Sequence, residues 1–196
     1  MIKLKNILGV LTIFLLLLGG CTTLNESTSD TIEIPNLDLT LTPAKGWLVD
    51  DTVEISDPAK GGVLIRLSPN PEISGAPKFQ VYLDPLRVKS PTLKTLADEQ
   101  WTRFEAMKNK PGVTVETMEK NKIQLLDQDA MLLTQTYTLG SGPAQISVNE
   151  QTWLLQHNNR GVAFVVSGRT ELVTPWNEAI QEMLASVATQ KQGSVP

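Results

Sequence analysis

Side chains that commonly carry catalysis or bind metals are scarce in this sequence. Its 196 residues include one histidine, His157, and one cysteine, Cys21. A serine nucleophile needs a base, and His157 stands in a polar turn sequence with Asn158, Asn159 and Arg160, where we expect it to be solvated. A zinc site needs several converging His or Cys ligands. The sequence therefore argues against a hydrolase and a zinc enzyme, and we expect no catalytic residue, metal or cofactor.

The first 21 residues have the pattern of a secretory signal. Lys3 and Lys5 precede an apolar run of 12 residues, 7–18, which is shorter than the roughly 20 residues that a membrane-spanning helix needs. The run ends in a tetrad that resembles the bacterial lipobox: Leu18, Gly19, Gly20 and Cys21. The alternative is an ordinary secretory signal in which the cysteine stands by chance.

The lipobox resemblance implies a location and a membrane partner. In lipobox proteins the peptide before the cysteine is removed and the cysteine is acylated, so residues 1–20 would be a signal peptide and Cys21 the lipid anchor. The expected location is the bacterial cell envelope. Because Thr22 rather than an aspartate follows the cysteine, the periplasm-facing outer membrane is favoured if the cell is Gram-negative.

Charge limits the partners of the mature chain. Without Lys3 and Lys5, the 17 basic residues become 15, against 21 acidic ones, which gives a net charge of −6. This excess argues against nucleic acid and against an electrostatic attraction to anionic lipid. Asp127 and Asp129 lack the glycine and distal glutamate of a calcium loop and are interpreted as a plain acidic turn.

Composition divides the mature chain into a tether, a domain and a tail. Residues 21–34 hold the cysteine and a polar stretch with too little apolar surface to fold, so we interpret them as a flexible tether. Residues 35–188 have the length of one ordinary domain. Residues 189–196 are polar and predicted to be frayed.

Alternating apolar residues predict a domain of many strands and two principal helices. Ser90 and Pro91 predict the start of the first helix, and Thr174 and Pro175 that of the second. The predicted strands are 37–42, 47–55, 63–67, 79–86, 113–118, 122–126, 130–139, 146–156 and 162–167. This order indicates an α+β fold, with a mainly antiparallel sheet sandwiched by two amphipathic helices.

A family resemblance covers residues 35–188. It rests on the turn 43–47 (Pro-Ala-Lys-Gly-Trp), the pair Asp57 and Pro58, the middle helix, the hairpin into 162–167 and the final helix 176–187. These features resemble the PsbP, Mog and DcrB group, and with the lipobox the chain looks most like the DcrB-like bacterial lipoproteins. The resemblance implies a PsbP/Mog-like α/β/α sandwich. Members of this group act as binding and assembly factors, PsbP on photosystem II and Mog proteins on a small GTPase, and the group has no catalytic residues to transfer.

One loop is the best candidate for a contact surface. The segment 68–78 is long and partly fixed by proline, and it leads from Ile73 to Phe79. Trp47, beside a glycine turn, could line a groove at a sheet end, although packing in the core is the favoured account.

Two functions remain open from sequence. The first is a non-catalytic binding or assembly factor for an envelope protein complex, which would be its protein partner. The second is a lipid-anchored carrier of a small apolar ligand, held in a pocket between sheet and helix. A carrier should show a closed apolar cavity of several hundred Å³, whereas an adaptor should be densely packed.

Overall fold

A seven-stranded antiparallel sheet is the main body of the protein. The computed structural model describes residues 30–50, 58–69 and 72–190. The strand order in this sheet is β3-β4-β5-β9-β8-β7-β6, and a second sheet has the order β1-β2-β10. The strands are β1 Ile32–Ile34, β2 Leu39–Leu41, β3 Leu48–Val49, β4 Gly62–Ser68, β5 Lys78–Leu83, β6 Val113–Leu125, β7 Gln128–Leu139, β8 Ile146–His157, β9 Arg160–Arg169 and β10 Ala188–Thr189. The helices are α1 Leu93–Met107, α2 Thr170–Val173 and α3 Asn177–Ser186, with 3₁₀ turns at Pro58–Lys60, Gly142–Ala144 and Thr174–Trp176.

The hairpin β8–β9 lies at the centre of the large sheet. Its two-residue turn is formed by Asn158 and Asn159, whose φ angles of 48° and 61° match the left-handed conformation that tight hairpin turns require and that asparagine tolerates. Alternate residues of β9 then point to opposite faces, so Val162, Phe164 and Val166 are fully buried on one face. This hairpin fixes which side chains of the sheet point toward each layer.

One face of the large sheet is covered by the small sheet and α3. Ile180, Met183 and Leu184 of α3 are buried there. They share one hydrophobic cluster with Leu39 and Leu41 of β2 and with the alternate side chains of the central strands, including Phe79, Leu155 and Phe164. This cluster is the larger of the two cores and holds the C-terminal helix on the sheet.

The other face carries α1. Leu96, Ala97 and Phe104 of the helix pack on side chains of β7 and β8, namely Met131, Leu133 and Leu154. The approach is close at Gly161, where a Cβ atom would lie 2.5 Å from Leu96 Cδ2, so a larger residue there would require the Leu96 side chain to shift. The 15 residues of α1 extend about 22 Å, whereas the 12 residues of β7 extend about 40 Å. The helix therefore covers only part of this face.

The observed architecture confirms the predicted α+β sandwich, with a mainly antiparallel sheet between helices. Two domain limits change. The predicted tether 21–34 extends too far, because Ile32–Ile34 pair with β2 and bury Ile34. The predicted tail 189–196 begins too early, because Thr189 pairs with Leu39. Residues 1–29, which include the predicted signal peptide, the lipobox residues Leu18, Gly19 and Gly20, and Cys21, lie outside the described residues, as do 191–196.

Two predicted helix caps and one predicted strand break are wrong. The first helix is capped by Thr92, whose Oγ1 accepts from the Thr95 N–H at 3.1 Å, rather than by Ser90. Thr174 lies within helical turns and donates to the Thr170 carbonyl at 2.8 Å, so it does not cap the start of the final helix, whose N-cap is Trp176. The break predicted at Asn121 is absent because Asn121 pairs with Leu132 within a continuous β6.

We expect Phe104→Ala to detach α1 from the sheet. Phe104 is the largest side chain that the helix buries, and its removal should lower the free energy of unfolding by about 3–5 kcal/mol. Denaturant unfolding followed by circular dichroism measures this loss. Thr102→Ala, at an exposed position of the same helix, is the control and should change the free energy by less than about 0.5 kcal/mol. Similar losses for both variants would contradict the proposed anchoring.

Candidate functional site

A cleft lies between α1 and the part of the sheet that the helix leaves uncovered. Its volume is about 480 Å³, and it is open to solvent. We call it the α1 cleft. Its helix wall includes Gln100, Arg103 and Met107, and its sheet wall has both apolar and polar residues: Tyr82, Gln135, Glu150, Leu154, Ala163 and Val165.

Gln135 and Glu150 form the polar centre of the α1 cleft. They are directly opposite each other on β7 and β8, on the same face as Leu133 and Leu154 of the core beneath α1. Gln135 Nε2 donates to Glu150 Oε2 at 3.4 Å. Gln135 is only 2% exposed, and its Oε1 has no hydrogen-bond partner among the described residues. A buried acceptor without a donor costs about 1–3 kcal/mol, so the cleft contains unused hydrogen-bonding capacity.

The environment of Glu150 favours its neutral form. Burial raises the pKa of Glu150 above its ordinary value of 4.5, and the hydrogen bond from Gln135 opposes this only in part. Burial also raises the pKa of Tyr82, against the lowering effect of Arg66, with a further increase from the charge of Glu150. Burial also raises the pKa of Tyr137, and the charge of Glu150 adds a smaller increase. The carboxyl group thus acts electrostatically on two tyrosines.

Arg66, the cation that influences Tyr82, is held by other groups. Its Nη1 donates to Asp50 Oδ2 at 3.0 Å. With the Gln80 amide turned so that its oxygen faces the arginine, Gln80 accepts from Arg66 at 2.9 and 3.3 Å. Arg66 is therefore engaged beside the cleft and forms no ion pair with Glu150.

Ion pairs help to hold α1, which forms the helix wall of the cleft. Arg87, in the loop before the helix, donates to both carboxylate oxygens of Glu99 at 2.7 Å and to Asp84 Oδ2 at 2.7 Å. The hydrogen bonds from Arg87 to Glu99 lower the pKa of Glu99. On the opposite side of the helix, Asp98 accepts from Lys94 and Lys120, which lowers the pKa of Asp98 to about 2. The helix position is set by charges on both sides.

The single histidine has a structural role. His157 Nε2 donates to the Leu37 carbonyl oxygen at 2.8 Å, so the ring joins the end of β8 to the turn before β2. The prediction of a solvated turn residue is wrong, because the small sheet covers this side of the hairpin and the ring is half-buried. Its Nε2 is consequently engaged by the backbone.

Two of the three predicted contact residues are in the core. Phe79 is 0% exposed and Trp47 is 6% exposed, so neither can form a surface. Phe79 alternates with Val81 and Leu83 on the inward face of β5, and Trp47 packs edge-to-face on Trp176 with ring centroids 5.8 Å apart. Ile73, at 49% exposure, is the one member of the predicted set that reaches the surface.

The described residues give no sign of a metal centre or a membrane span. Within 30–50, 58–69 and 72–190, no three His, Cys, Asp or Glu side chains are grouped so that they could hold an ion. The helices in the same ranges are too short or too polar to cross a membrane.

Comparison with solved structures identifies the fold. The solution structure of the cyanobacterial PsbP protein CyanoP, from Synechocystis sp. PCC 6803, matches with a TM-score of 0.53 and 15% sequence identity, over 87% of this chain and 97% of that one. The fold is PsbP-like. At this identity the similarity concerns the fold alone.

Two further structures match with lower TM-scores. One is PA94 of Pseudomonas aeruginosa, described as a protein of unknown function and putative regulator, with 11% identity, a TM-score of 0.42 and coverage of 85% of this chain and 97% of that one. The other is LpqN of Mycobacterium tuberculosis, described as involved in cell envelope biogenesis, with 12% identity, a TM-score of 0.43 and coverage of 78% and 91%. No family model matches the sequence, and no curated protein matches it.

The polar pair at the centre of the cleft was not predicted from sequence, although the sequence contains a signal for it. Met131, Leu133 and Gln135 occupy alternate positions of β7 and therefore point to one face. A glutamine that continues a buried apolar series is unusual, since buried polar side chains need partners. This interruption in the alternation marks Gln135 as a candidate site residue.

We expect Glu150→Gln to remove a pH dependence of stability. The pKa of Glu150 is higher in the folded than in the unfolded protein, so its contribution to stability is fully present below about pH 4.5 and is lost as pH rises through the folded pKa. Tyr82 and Tyr137, the titratable groups it influences, have pKa values above 10 and do not titrate in this range.

Urea unfolding at a series of pH values tests this expectation. Relative to Glu150→Gln, the native protein should lose stability as pH rises from 4.5 toward neutrality. Glu178→Gln is the control, because Glu178 is exposed on α3, at the opposite face of the sheet. Parallel pH profiles for the native protein and Glu150→Gln would contradict the assignment.

Proposed function

We propose that this protein is a non-catalytic binding or assembly factor of the bacterial cell envelope, held at its membrane by lipid on Cys21. The observation that carries the proposal is the α1 cleft. It is open to solvent, and Gln135 keeps an acceptor there that no other described residue uses. Unused hydrogen-bonding capacity in an open concave site favours recognition of another molecule.

The arrangement of the titratable groups supports a non-catalytic role. His157 Nε2 is bonded to the Leu37 carbonyl, so this nitrogen is engaged by the backbone rather than by a nucleophile. Glu150 has a raised pKa, which is a feature of catalytic acids, but its bonded neighbour is an amide rather than a second acid, a base or a nucleophile. A group of this kind is suited to binding.

The envelope location is supported by the sequence at the N-terminal end. Leu18, Gly19, Gly20 and Cys21 have the lipobox pattern, and a cysteine with two or three acyl chains would be anchored stably. The PsbP-like fold supplies a domain that would stand outside the bilayer on a short connection. The first described strand begins at Ile32. Residues 22–31 therefore connect Cys21 to this strand.

The contact surface that we propose is the loop 72–77. Ile73 is exposed on this loop. The loop lies against the end of β9, where the Arg169 N–H donates to the Gly75 carbonyl at 2.9 Å. An exposed apolar side chain on a loop that is held against the sheet is consistent with a protein contact.

A carrier of a small apolar ligand is less well supported. The α1 cleft is open, and its walls include Gln135, Glu150, Arg103 and Lys110. Burying apolar groups against these side chains would leave their polar atoms without water or partners. An apolar cargo would therefore destabilise the polar centre of the cleft.

The proposed anchor is tested by comparing the native protein with Cys21→Ala. Proteins are crosslinked in cells, membranes are solubilised, and the partners are recovered. We expect a defined protein complex with the native form and its loss or strong reduction with Cys21→Ala, because an unanchored domain is diluted from its membrane. Recovery of lipid or another small molecule, without any protein, would overturn the assembly role in favour of a carrier.

The proposed contact surface is tested with Ile73→Asp in the same crosslinking experiment. A charge at the centre of an apolar contact should reduce partner recovery several-fold. Ala185→Asp, a matched change at an exposed position on α3, should leave recovery unchanged. Unreduced recovery with Ile73→Asp would remove the loop from the proposed interface.

A further inference from the structure

We propose that the α1 cleft binds a monovalent organic cation, an ammonium or guanidinium group on an apolar stem, with Glu150 and the free carbonyl oxygen of Gln135 as its acceptors. This inference rests on the proposed binding function and names the chemistry of the ligand. The cation could be a free small molecule or a basic side chain of a protein partner.

The buried side-chain oxygen of Gln135 lacks a hydrogen-bond donor within the described part of the chain. Gln135 is almost completely buried, and its Nε2 is directed to Glu150. This leaves its Oε1 as an acceptor that no described residue satisfies. The residue lines the cleft, but neighbouring atoms cover its Oε1, so a ligand in the cleft reaches that oxygen only when the amide turns toward the cleft. A ligand that only accepts hydrogen bonds would leave the same oxygen unpaired, which selects ligands with N–H or O–H donors.

A cation in the cleft would stabilise the ionised form of Glu150. Within the described parts of the chain, Glu150 forms no ion pair, while two other acidic residues of the cleft wall, Asp84 and Glu99, are both bound to Arg87. Burial penalises the ionised form of Glu150. A cation placed against this carboxylate would compensate its charge and form a charge-assisted hydrogen bond, which is stronger than a neutral one. The same group could donate to Gln135 Oε1.

Apolar and aromatic side chains of the cleft wall fit the rest of the ligand. Leu154, Ala163 and Val165 provide an apolar part of the wall, which fits an alkyl stem. Tyr82 lines the cleft and provides an aromatic ring of the kind that attracts organic cations. The cleft volume of about 480 Å³ is far larger than an inorganic monovalent ion requires. These features favour an alkylammonium or alkylguanidinium over a bare ion.

The rim of the cleft limits the charge of the ligand. Arg103 and Lys110 line the cleft and are exposed. A second positive charge at the outer end of the ligand would be repelled by these side chains, although solvent screens the repulsion in part. The arrangement therefore favours a single cationic group at the buried end.

Calorimetric titration of the full chain in non-ionic detergent tests this proposal. The probes are butylguanidinium and butylurea, which share a planar head group and a stem but differ in charge. We expect butylguanidinium to bind at pH 7 and butylurea to bind about tenfold or more weakly. Glu150→Gln and Gln135→Leu should each weaken butylguanidinium binding by a similar factor, while Glu178→Gln should have no effect.

The outcomes separate this proposal from the assembly role. Equal binding of the two probes, no binding of either, or unchanged binding by Glu150→Gln would overturn the cation site. Glu150→Gln removes only a buried charge, and its folding is confirmed by its unfolding curve. If a protein complex is recovered by crosslinking but no cation binds, only the cation site fails. If the cation binds but no complex is recovered, the assembly role fails and the site stands.

A third probe identifies the source of the cation. Nα-acetylarginine methylamide presents the guanidinium group on a peptide unit. If it binds as tightly as butylguanidinium, the cleft accepts a basic side chain of a protein. If the peptide unit abolishes binding while butylguanidinium still binds, the ligand is a free small cation. Both results support the cation site and differ only in the source.

Discussion

The difference in length between α1 and the strands beneath it shapes one side of this protein. The helix buries Leu96, Ala97 and Phe104 on β7 and β8 and ends before the sheet does. On the other face, the small sheet and α3 bury the alternate side chains of the central strands. The large sheet therefore has one well-covered face and one that is half covered. The boundary of the half-covered face is where polar side chains meet both the core and the solvent.

Gln135 and Glu150 lie at that boundary. Both are directed inward by the pleat of the sheet, yet neither has the partners that a closed core would provide. Arg66 is held by Asp50, and Arg87 is held by Asp84 and Glu99, so neither arginine forms an ion pair with Glu150. A half-buried carboxyl without an ion pair and a buried amide oxygen without a donor cost stability. Such a cost is a common property of binding sites, where a ligand supplies the missing interactions.

Local patterns predicted most of the architecture, since alternation along strands and helical spacing are properties of short segments. The turn at Asn158 and Asn159 and the apolar series of β9 are examples. Phe79 was misplaced because the start of an inward-facing strand and the end of a loop look alike in sequence. The pairing of Gln135 with Glu150 depends on the register of β7 and β8, which local patterns do not determine. The role of His157 depends on a contact with Leu37, 120 residues away in sequence.

The small sheet brings together the first and the last strand of the described domain. Ile32–Ile34 and Ala188–Thr189 flank the same strand, β2, and His157 joins this region to one end of β8. The opposite end of β8 begins at Ile146, after the turn Gly142–Ala144. Twelve residues of strand separate these ends by about 40 Å. A fluorophore attached at the 142–144 turn would therefore report on the distance of this far end from a membrane surface, without touching the segments that enter and leave the domain.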